Sequence, residues 1–486
     1  MRSTRVGAVL AAVALFVAPR PAPGAAATAT PAASTAPAPS ATPIATPPPV
    51  PAAAPLDLEG AVRYATQHDP TVLNDRATLA QNEATFVKDH AAEFPSLVAT
   101  LQNQVEKTNG ANPNSALAQY GLQQAQVYSQ NLAQLGTNWT LYNGSLNQIT
   151  AQSAKRQVEA ARFTLQRAQQ SLAADVARDW YAVVQNREAL RLAEGQRAYE
   201  QQLLEAARAQ ESVGRVAGVD VLRAQADELR AEAGVASALA NEANARDALA
   251  QRIGAPPETP FAFPADLPEP PLPRTPLQQL IARALAGRPD IASAKANVAV
   301  AQLADAAIDT DIRPQLQLSG AFGNSEVPAS ATFPGFPILP PNRPGFWQIY
   351  ASETINLPVI DYGTRRAAHR AAHAQIDAAR ASLDSTVSGV ETDVRQALRG
   401  VQTANANVMT EREAQRYGAE SARIAQLQYR NGLISLSDAT QAEQTALSAA
   451  NDLMVARVAY LNAIVQLRTS IGISDPVAVV DTGATE

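Results

Sequence analysis

The sequence contains one domain-sized unit written twice, and this duplication limits the possible folds more than any other feature. Matching residues keep a constant spacing, apart from a single one-residue shift partway along the unit. The matching pairs include Leu58 and Leu277, Pro70 and Pro289, Leu97 and Leu316, Val158 and Ile376, Gly214 and Gly432, and Leu249 and Leu467. A period this long indicates two copies of a domain and excludes a solenoid of short repeats. We therefore place repeat 1 at residues 56–254 and repeat 2 at residues 277–473.

Each repeat is predicted to open with a short helix. Asp57 is the predicted N-cap of the first copy. In the second copy, Thr275, Pro276 and Gln278 predict a capping-box start with proline at the first helical position. Pro70 and Pro289 fall inside the helical pattern, where proline should either kink the helix or end it.

A pair of alternating strands follows in each copy, and we predict β-hairpins at about residues 95–142 and 314–358. The apolar positions of this pattern are Leu97, Ala99, Leu101, Val105, Val127, Ala133, Leu135, Trp139, Leu141, Leu316, Leu318, Phe322, Trp347, Ile349, Ala351 and Ile355. The positions between are mostly polar, many of them glutamine, although Val98 is apolar and Glu353 breaks the apolar side of the last strand. This alternation fits an outer-membrane barrel, and it equally fits an ordinary antiparallel sheet with one solvated face.

Long helical hairpins close both repeats, at residues 145–254 and 363–472. At ~1.5 Å per residue, about 65 residues of helix reach roughly 100 Å, which is too long for a globular core. Alanine on several faces suits a helix held between two neighbours in a closed ring, although a coiled-coil rod remains an alternative. A rod does not explain the strand pair before each hairpin.

Four strands cannot close a barrel, and open sheet edges are not tolerated in lipid. Single-chain barrels begin at about 8 strands, so two, three or four copies would supply ~8, ~12 or ~16. We expect an oligomer, and the sequence does not choose its size.

The N-terminus is typical of an exported protein. Arg2 and Arg5 precede an apolar segment, Val6 to Val17, which is too short to span a bilayer and leads into small residues. We predict a signal peptide at residues 1–27, a mature start near residues 24–30, and an Ala/Pro/Thr-rich leader at 28–55. A Pro-rich linker at 255–276 and a C-terminal tail at 474–486 complete the chain.

The composition excludes several kinds of chemistry. The chain has no cysteine, which removes disulfides, thiol catalysis and a lipidated anchor, and its net charge of −6 disfavours nucleic-acid binding.

His369 and His373 lie one helical turn apart, as metal ligands would, but no third ligand stands nearby in the sequence. We therefore expect no metal site, no cofactor, no catalytic residues and no enzyme activity.

The whole layout resembles the TolC-type outer-membrane efflux proteins, the outer-membrane channels of tripartite efflux pumps. The likeness runs from Leu56 to Ile473. It rests on a set of local motifs in a fixed, duplicated order: Ala65-x4-Pro70 and Ala284-x4-Pro289; Leu141-Tyr142-Asn143-Gly144 and Pro358-Val359-Ile360-Asp361-Tyr362-Gly363; Val213-Gly214…Asp220-Val221-Leu222 and Tyr429-x2-Gly432-Leu433…Asp438.

The resemblance implies a mixed α and β membrane protein. Four antiparallel transmembrane β-strands per chain would complete an oligomeric β-barrel, and long coiled helices would form a periplasmic α-barrel. It implies a homotrimer in the outer membrane of a Gram-negative bacterium, docked on a periplasmic adaptor that joins it to an inner-membrane transporter. The expected function is efflux of small molecules or drugs. A type I protein-secretion duct has the same architecture and stays open as an alternative, and a periplasmic coiled-coil scaffold is a third.

The resemblance also implies roles for particular residues. Tyr429 and Asp438 match positions that narrow the tunnel in the family, whereas Ile434 and Gln441 depart from its pattern of an arginine and a second aspartate. Asp220, the equivalent of Asp438, is expected on the outer helical pair. Asp220 and Asp438 can alternatively be residues that cap the returning helix.

The remaining candidates concern docking and membrane contact. Gly214, Val213, Gly432 and Leu433 are the expected adaptor-docking tips, with a plain helix-hairpin turn as the alternative for the glycines. Trp139, Trp347 and Tyr350 are the candidate aromatic residues at the membrane interface.

Overall fold

The computed structural model describes residues 55–108, 126–214, 217–264, 266–326, 343–356 and 358–473. The predicted signal peptide, nearly all of the predicted leader and the C-terminal tail lie outside these residues. So do the two segments, 109–125 and 327–342, that connect the strands of each hairpin.

The two repeats have the same elements in the same order. Repeat 1 contains α1 (Leu58–His68), α2 (Pro70–Ala91), β1 (Ser96–Thr108), β2 (Gln126–Asn143), α3 (Leu146–Ser212) and α4 (Gly218–Ile253). Repeat 2 contains α5 (Leu277–Gly287), α6 (Pro289–Ile308), β3 (Gln315–Glu326), β4 (Arg343–Thr354), α7 (Thr364–Arg430) and α8 (Leu436–Ile471). Both α3 and α7 have 67 residues, and both α4 and α8 have 36. The duplication seen in the sequence is thus a duplication of structure.

The prolines end the first helix of each repeat instead of kinking it. Pro70 starts α2, and the Asp69 side chain accepts hydrogen bonds from the backbone N–H groups of Thr71 and Val72, at 2.8 and 3.0 Å. Asp57 caps α1 as predicted, accepting from Gly60 N at 2.7 Å. The predicted start of α5 is wrong by one position, because Pro276 is its N-cap and not its first helical residue.

The four strands form one antiparallel sheet in the order β1-β2-β3-β4. The two hairpins, one from each repeat, meet through β2 and β3. A β-bulge between Thr140 and Tyr142 shifts the register, so the predicted alternation fails at Leu141, and Tyr142 pairs with Leu316 instead.

The main core joins the long helices to the short ones and to the Pro-rich linker. Trp180 of α3, 1% exposed, packs against Phe261 and Phe263 of the linker with ring centroids 6.0 and 4.5 Å apart. Leu56 and Phe261 form a parallel β-bridge. The linker therefore contributes side chains to the core, and it is not merely a spacer between the repeats.

A buried arginine ties repeat 2 together beside this core. The Arg288 side chain is 4% exposed and forms ion pairs with Asp290 at 2.5 Å and Asp393 of α7 at 2.9 Å. Asp290 is held ionised, since burial opposes its charge but the hydrogen bonds and charge of Arg288 lower its pKa. Among the helices described, none is both long and apolar enough to cross a membrane.

Candidate functional site

The register of the sheet gathers most of the apolar residues of all four strands on one face, where Glu353, opposite Leu316, is a charged exception. This face carries Leu97, Leu101, Ala133, Leu135, Trp139, Leu316, Leu318, Phe322, Trp347 and Ile349. Most of its members are exposed in the single chain, with Leu101 at 87% and Trp347 at 76%, while Leu135 and Leu318 are half-buried. A continuous apolar face of this kind needs a cover, and in a transmembrane barrel lipid provides it.

The opposite face is mostly polar. Gln317 and Ser319 of β3 both donate hydrogen bonds to Asn138 Oδ1 of β2, at 2.6 and 3.2 Å, and Val98 is an apolar exception on β1. Tyr350 pairs with Ser319 and so lies on this face. Of the three aromatic candidates, only Trp139 and Trp347 share the apolar face. The alternation of β4 thus argues against Tyr350 as a lipid-interface residue.

The helical hairpins turn at two tips, and each tip contains a glycine in the left-handed conformation. The first follows α3, where Val213 is the C-cap and Gly214 has φ +72°; the second follows α7, where Gly432 has φ +74°. An added Cβ at either glycine would meet no atom within 4 Å among the residues described, so backbone conformation alone favours glycine there. Val213 and Leu433 are 66% and 72% exposed, leaving apolar side chains at both predicted docking tips.

A small separate core joins the two tips to each other. It is formed by Tyr199, Leu203, Leu204, Ala207, Val221, Ala224, Tyr429, Leu436 and Ala439, which come from α3, α4, α7 and α8. Tyr199 Oη donates to Ala439 O at 3.4 Å, and Gln210 Nε2 donates to Tyr429 O at 3.4 Å. The two hairpins of one chain therefore pack as a pair at their tips.

Tyr429 lies inside this tip core. Its side chain is 2% exposed, and within the described part of the chain its hydroxyl has no hydrogen-bond partner. Burial, and after it the charge of Asp220, raises the pKa of Tyr429. In the single chain Tyr429 is thus a core residue facing the neighbouring hairpin of the same protomer.

Asp438 forms a capping box at the start of α8. Its carboxylate accepts from Ser435 Oγ at 2.7 Å and from Ser435 N at 3.3 Å, and its own N–H donates to Ser435 Oγ at 3.2 Å. This geometry supports the capping interpretation for Asp438. Its predicted role at a gate stays a prediction, because an exposed side chain at the tip is available to both roles.

The structure places Asp220 beside the second tip. Asp220 lies in the first turn of α4 and lines a groove of about 440 Å³ between the two tips, together with Tyr429 and Gly432. Within one chain Asp220 is thus close to Tyr429, and its expected place on the outer helical pair of the assembled ring stays a prediction.

Sequence reasoning missed a buried carboxyl group behind the tips. Glu200 of α3 is 2% exposed, and its neighbours include Asp227 of α4 and Glu443 of α8. Burial, followed by the charges of Asp227 and Glu443, raises the pKa of Glu200 from 4.5 to about 7. No sequence signal marked it, because charged residues on long helices are usually solvated.

Comparison with known proteins agrees with this geometry. The sequence model of the outer membrane efflux protein family matches residues 61–255 and 280–473, one segment in each repeat. No curated protein matches the chain.

Several solved structures share the fold. The CmeC outer membrane channel of Campylobacter jejuni is 18% identical with a TM-score of 0.71, covering 86% of each chain. The outer-membrane channel OprN is 22% identical with a TM-score of 0.68, covering 85% of this chain and 89% of that one. The open state of the MtrE channel of Neisseria gonorrhoeae is 21% identical with a TM-score of 0.67, covering 86% and 89%.

These findings settle the architecture. The internally duplicated chain supplies four antiparallel transmembrane strands to an oligomeric β-barrel, and its paired long helices supply an α-barrel. The family is one of transport channels and not of enzymes. The family model spans both repeats, and the chain therefore belongs to the outer membrane efflux protein family.

Proposed function

We propose that three copies of the chain assemble into one outer-membrane channel with a barrel of ~12 strands. The observation that carries this proposal is the sheet with one apolar face and two open edges. In the described strands β1 and β4 each pair on one side only. In lipid an unpaired edge costs several kcal/mol per backbone group, so β4 of one copy should pair with β1 of the next.

The long helices form the periplasmic part of this channel. Each chain supplies two pairs, and α3 and α7 at 67 residues would each extend roughly 100 Å from the barrel. This length allows the tips to reach a partner well inside the periplasm. An N-terminal signal peptide would deliver the chain to that compartment.

The tips would dock on a periplasmic adaptor protein that links the channel to an inner-membrane transporter. Besides Val213 and Leu433, Val219 and Leu222 at the start of α4 are 61% and 66% exposed. Exposed apolar side chains clustered at one place mark an interaction surface. The left-handed Gly214 and Gly432 set the tight turns that present them.

The cargo is small molecules moved outward by the transporter. This assignment rests on membership of the efflux family, and a protein cargo is the competing outcome of the test. In the assembled ring, the exposed Asp438 of the second tips would narrow the entrance, and Tyr429 would support these tips from within their core.

The trimer is tested by the mass of the purified detergent complex. We expect three chains per particle. The variant Trp347→Ala should also form a trimer, because it changes a side chain of the apolar face and removes no backbone hydrogen bond between strands. A monodisperse monomer would contradict the proposal.

Export is tested in cells that lack a native channel of this class. Gly432→Asp and Leu433→Asp should abolish resistance to small toxic compounds while the trimer stays intact, because they place strain or charge at the docking surface. Met409→Asp is the matched control, since Met409 is 57% exposed on α7 but far from the tip. Full resistance in the tip variants would show that the tips are only turns, and export of a protein without any change in resistance would favour the secretion duct.

A further inference from the structure

Two histidines and two aspartates meet where α6 ends and α7 begins. His369 and His373 lie one turn apart near the start of α7, and Asp305 and Asp309 lie one turn apart at the end of α6. Asp305 Oδ1 is 2.9 Å from His369 Nδ1, and Asp309 Oδ1 is 3.2 Å from His369 Nε2. We call these four residues the α6–α7 cluster.

We propose that Asp305, His369 and His373 bind a divalent transition-metal cation of the zinc class. Each of the three offers one ligand atom, and these atoms lie within 4.8 Å of one another. In the sequence the two histidines lacked a third ligand, and α6 provides it. Two imidazole nitrogens and one carboxylate oxygen form a ligand set that suits Zn²⁺ and does not suit Mg²⁺ or Ca²⁺.

The second layer of such a site is already in place. When His369 Nδ1 and Asp305 Oδ1 both bind the ion, the metal replaces the proton between them and His369 Nε2–H donates to Asp309. A carboxylate on the far nitrogen fixes the ring and raises its basicity, as is usual for histidines that bind metals. Arg365 lies 3.4 Å from Asp309 Oδ1 and holds that carboxylate in turn.

Solvent can reach the cluster. The side chains of His369 and Asp305 are 28% and 24% exposed, and His373 is exposed. Three protein ligands leave the fourth tetrahedral position to a water molecule. A bound ion would join α6 to α7, the two helices that flank the hairpin of β3 and β4.

The first repeat shows that the fold does not require this cluster. Phe86, Ala151 and Lys155 occupy the positions equivalent to Asp305, His369 and His373. None of the three is a metal ligand at neutral pH. The cluster is therefore a property of repeat 2 alone.

Zinc binding to the full chain tests the proposal. Protein in detergent, stripped with a chelator, is titrated with Zn²⁺ by calorimetry, and we expect one ion per chain. His373→Ala and Asp305→Asn should abolish this binding, and Asp309→Asn should weaken it by about 10–100-fold because it removes the partner of a ligand. His90→Ala is the matched control, since His90 is an exposed histidine in the equivalent part of repeat 1.

Cobalt supplies a second readout that does not depend on stability. Co²⁺ bound in place of Zn²⁺ should show the strong visible absorption of tetrahedral coordination, and the same two variants should lose it while the trimer remains intact. Absence of zinc binding in the natural chain would overturn the proposal. So would unchanged affinity in both His373→Ala and Asp305→Asn, or an equal loss in His90→Ala.

Discussion

Replacing Glu200 by glutamine should stabilise the channel at high pH and leave it unchanged at low pH. Glu200 lies on α3 behind the tips. Its acidic neighbours are Asp227 of α4 and Glu443 of α8. Asp227 is itself paired with Arg230 at 2.5 Å, and burial also raises the pKa of Glu443. Ionising Glu200 therefore adds a buried negative charge to an acidic surrounding.

The pKa values give the size and the sign of the effect. In the unfolded chain Glu200 loses its proton near pH 4.5, whereas in the folded chain it keeps the proton until about pH 7. The folded state binds the proton of Glu200 more tightly than the unfolded state does. The contribution of this proton to the free energy of unfolding is therefore fully present below pH 4.5, and it is lost as the pH rises to about 7. At ~1.4 kcal/mol per pH unit the full loss is about 3 kcal/mol, and partial relaxation of the site reduces it to about 1–3 kcal/mol.

Thermal unfolding of the detergent complex at two pH values measures this loss. Glutamine keeps the shape of glutamate but never ionises, so Glu200→Gln should raise the apparent Tm by about 2–4 °C at pH 8. At pH 4 its Tm should match that of the natural chain. Glu205→Gln is the control, because Glu205 is exposed on the same helix. An equal change at both pH values, or the same change in the control, would refute the burial of an ionisable charge.

Three further predictions concern the core, the tips and the buried ion pairs. Trp180→Ala should lower the free energy of unfolding by about 3–5 kcal/mol, seen as a large drop in Tm, because it removes a buried ring that packs on the linker. Asp438→Ala should cost about 1 kcal/mol through loss of the capping box; in planar bilayers it should also lower cation selectivity more than Asp220→Ala does, and equal changes would leave Asp438 only the capping role. Arg288→Ala should cost about 1–3 kcal/mol because it removes a buried guanidinium and its hydrogen bonds to two partly exposed carboxylates, whereas Arg63→Ala, at an exposed pair, should cost under about 1 kcal/mol in the same thermal unfolding measurement.

The strands could be predicted because their signal is local. A period of two places Leu97 and Leu101 on one side of β1, and Trp347 and Ile349 on one side of β4. The register then shows that these two sides belong to the same face of the sheet. The bulge near Leu141 was not predictable, because it depends on how β2 meets β3 of the other repeat. The duplication also helped the prediction, because a helix boundary recognised in one repeat indicates the matching boundary in the other.

The contacts of the sites depend on residues far apart in the chain. Asp305 and His369 are separated by a whole β-hairpin, and only the return of α7 along α6 brings them within 2.9 Å. Phe261 packs on Trp180 across the length of a helical hairpin. A Pro-rich composition says nothing about such contacts, so the sequence predicted a linker where the structure has part of a core.

The two repeats differ at the tips, where the proposed channel would need asymmetry. Both tips keep a left-handed glycine, but the N-cap of α8, Ser435, forms a capping box, whereas the N-cap of α4, Ala217, offers no side-chain cap. The start of α8 is therefore held more firmly than the start of α4. In a ring of three chains, six helical hairpins of two kinds would alternate, so a difference between repeats becomes a difference between alternate hairpins. A channel that narrows through only one kind of hairpin needs such a difference, and a symmetric ring of identical hairpins would not have it.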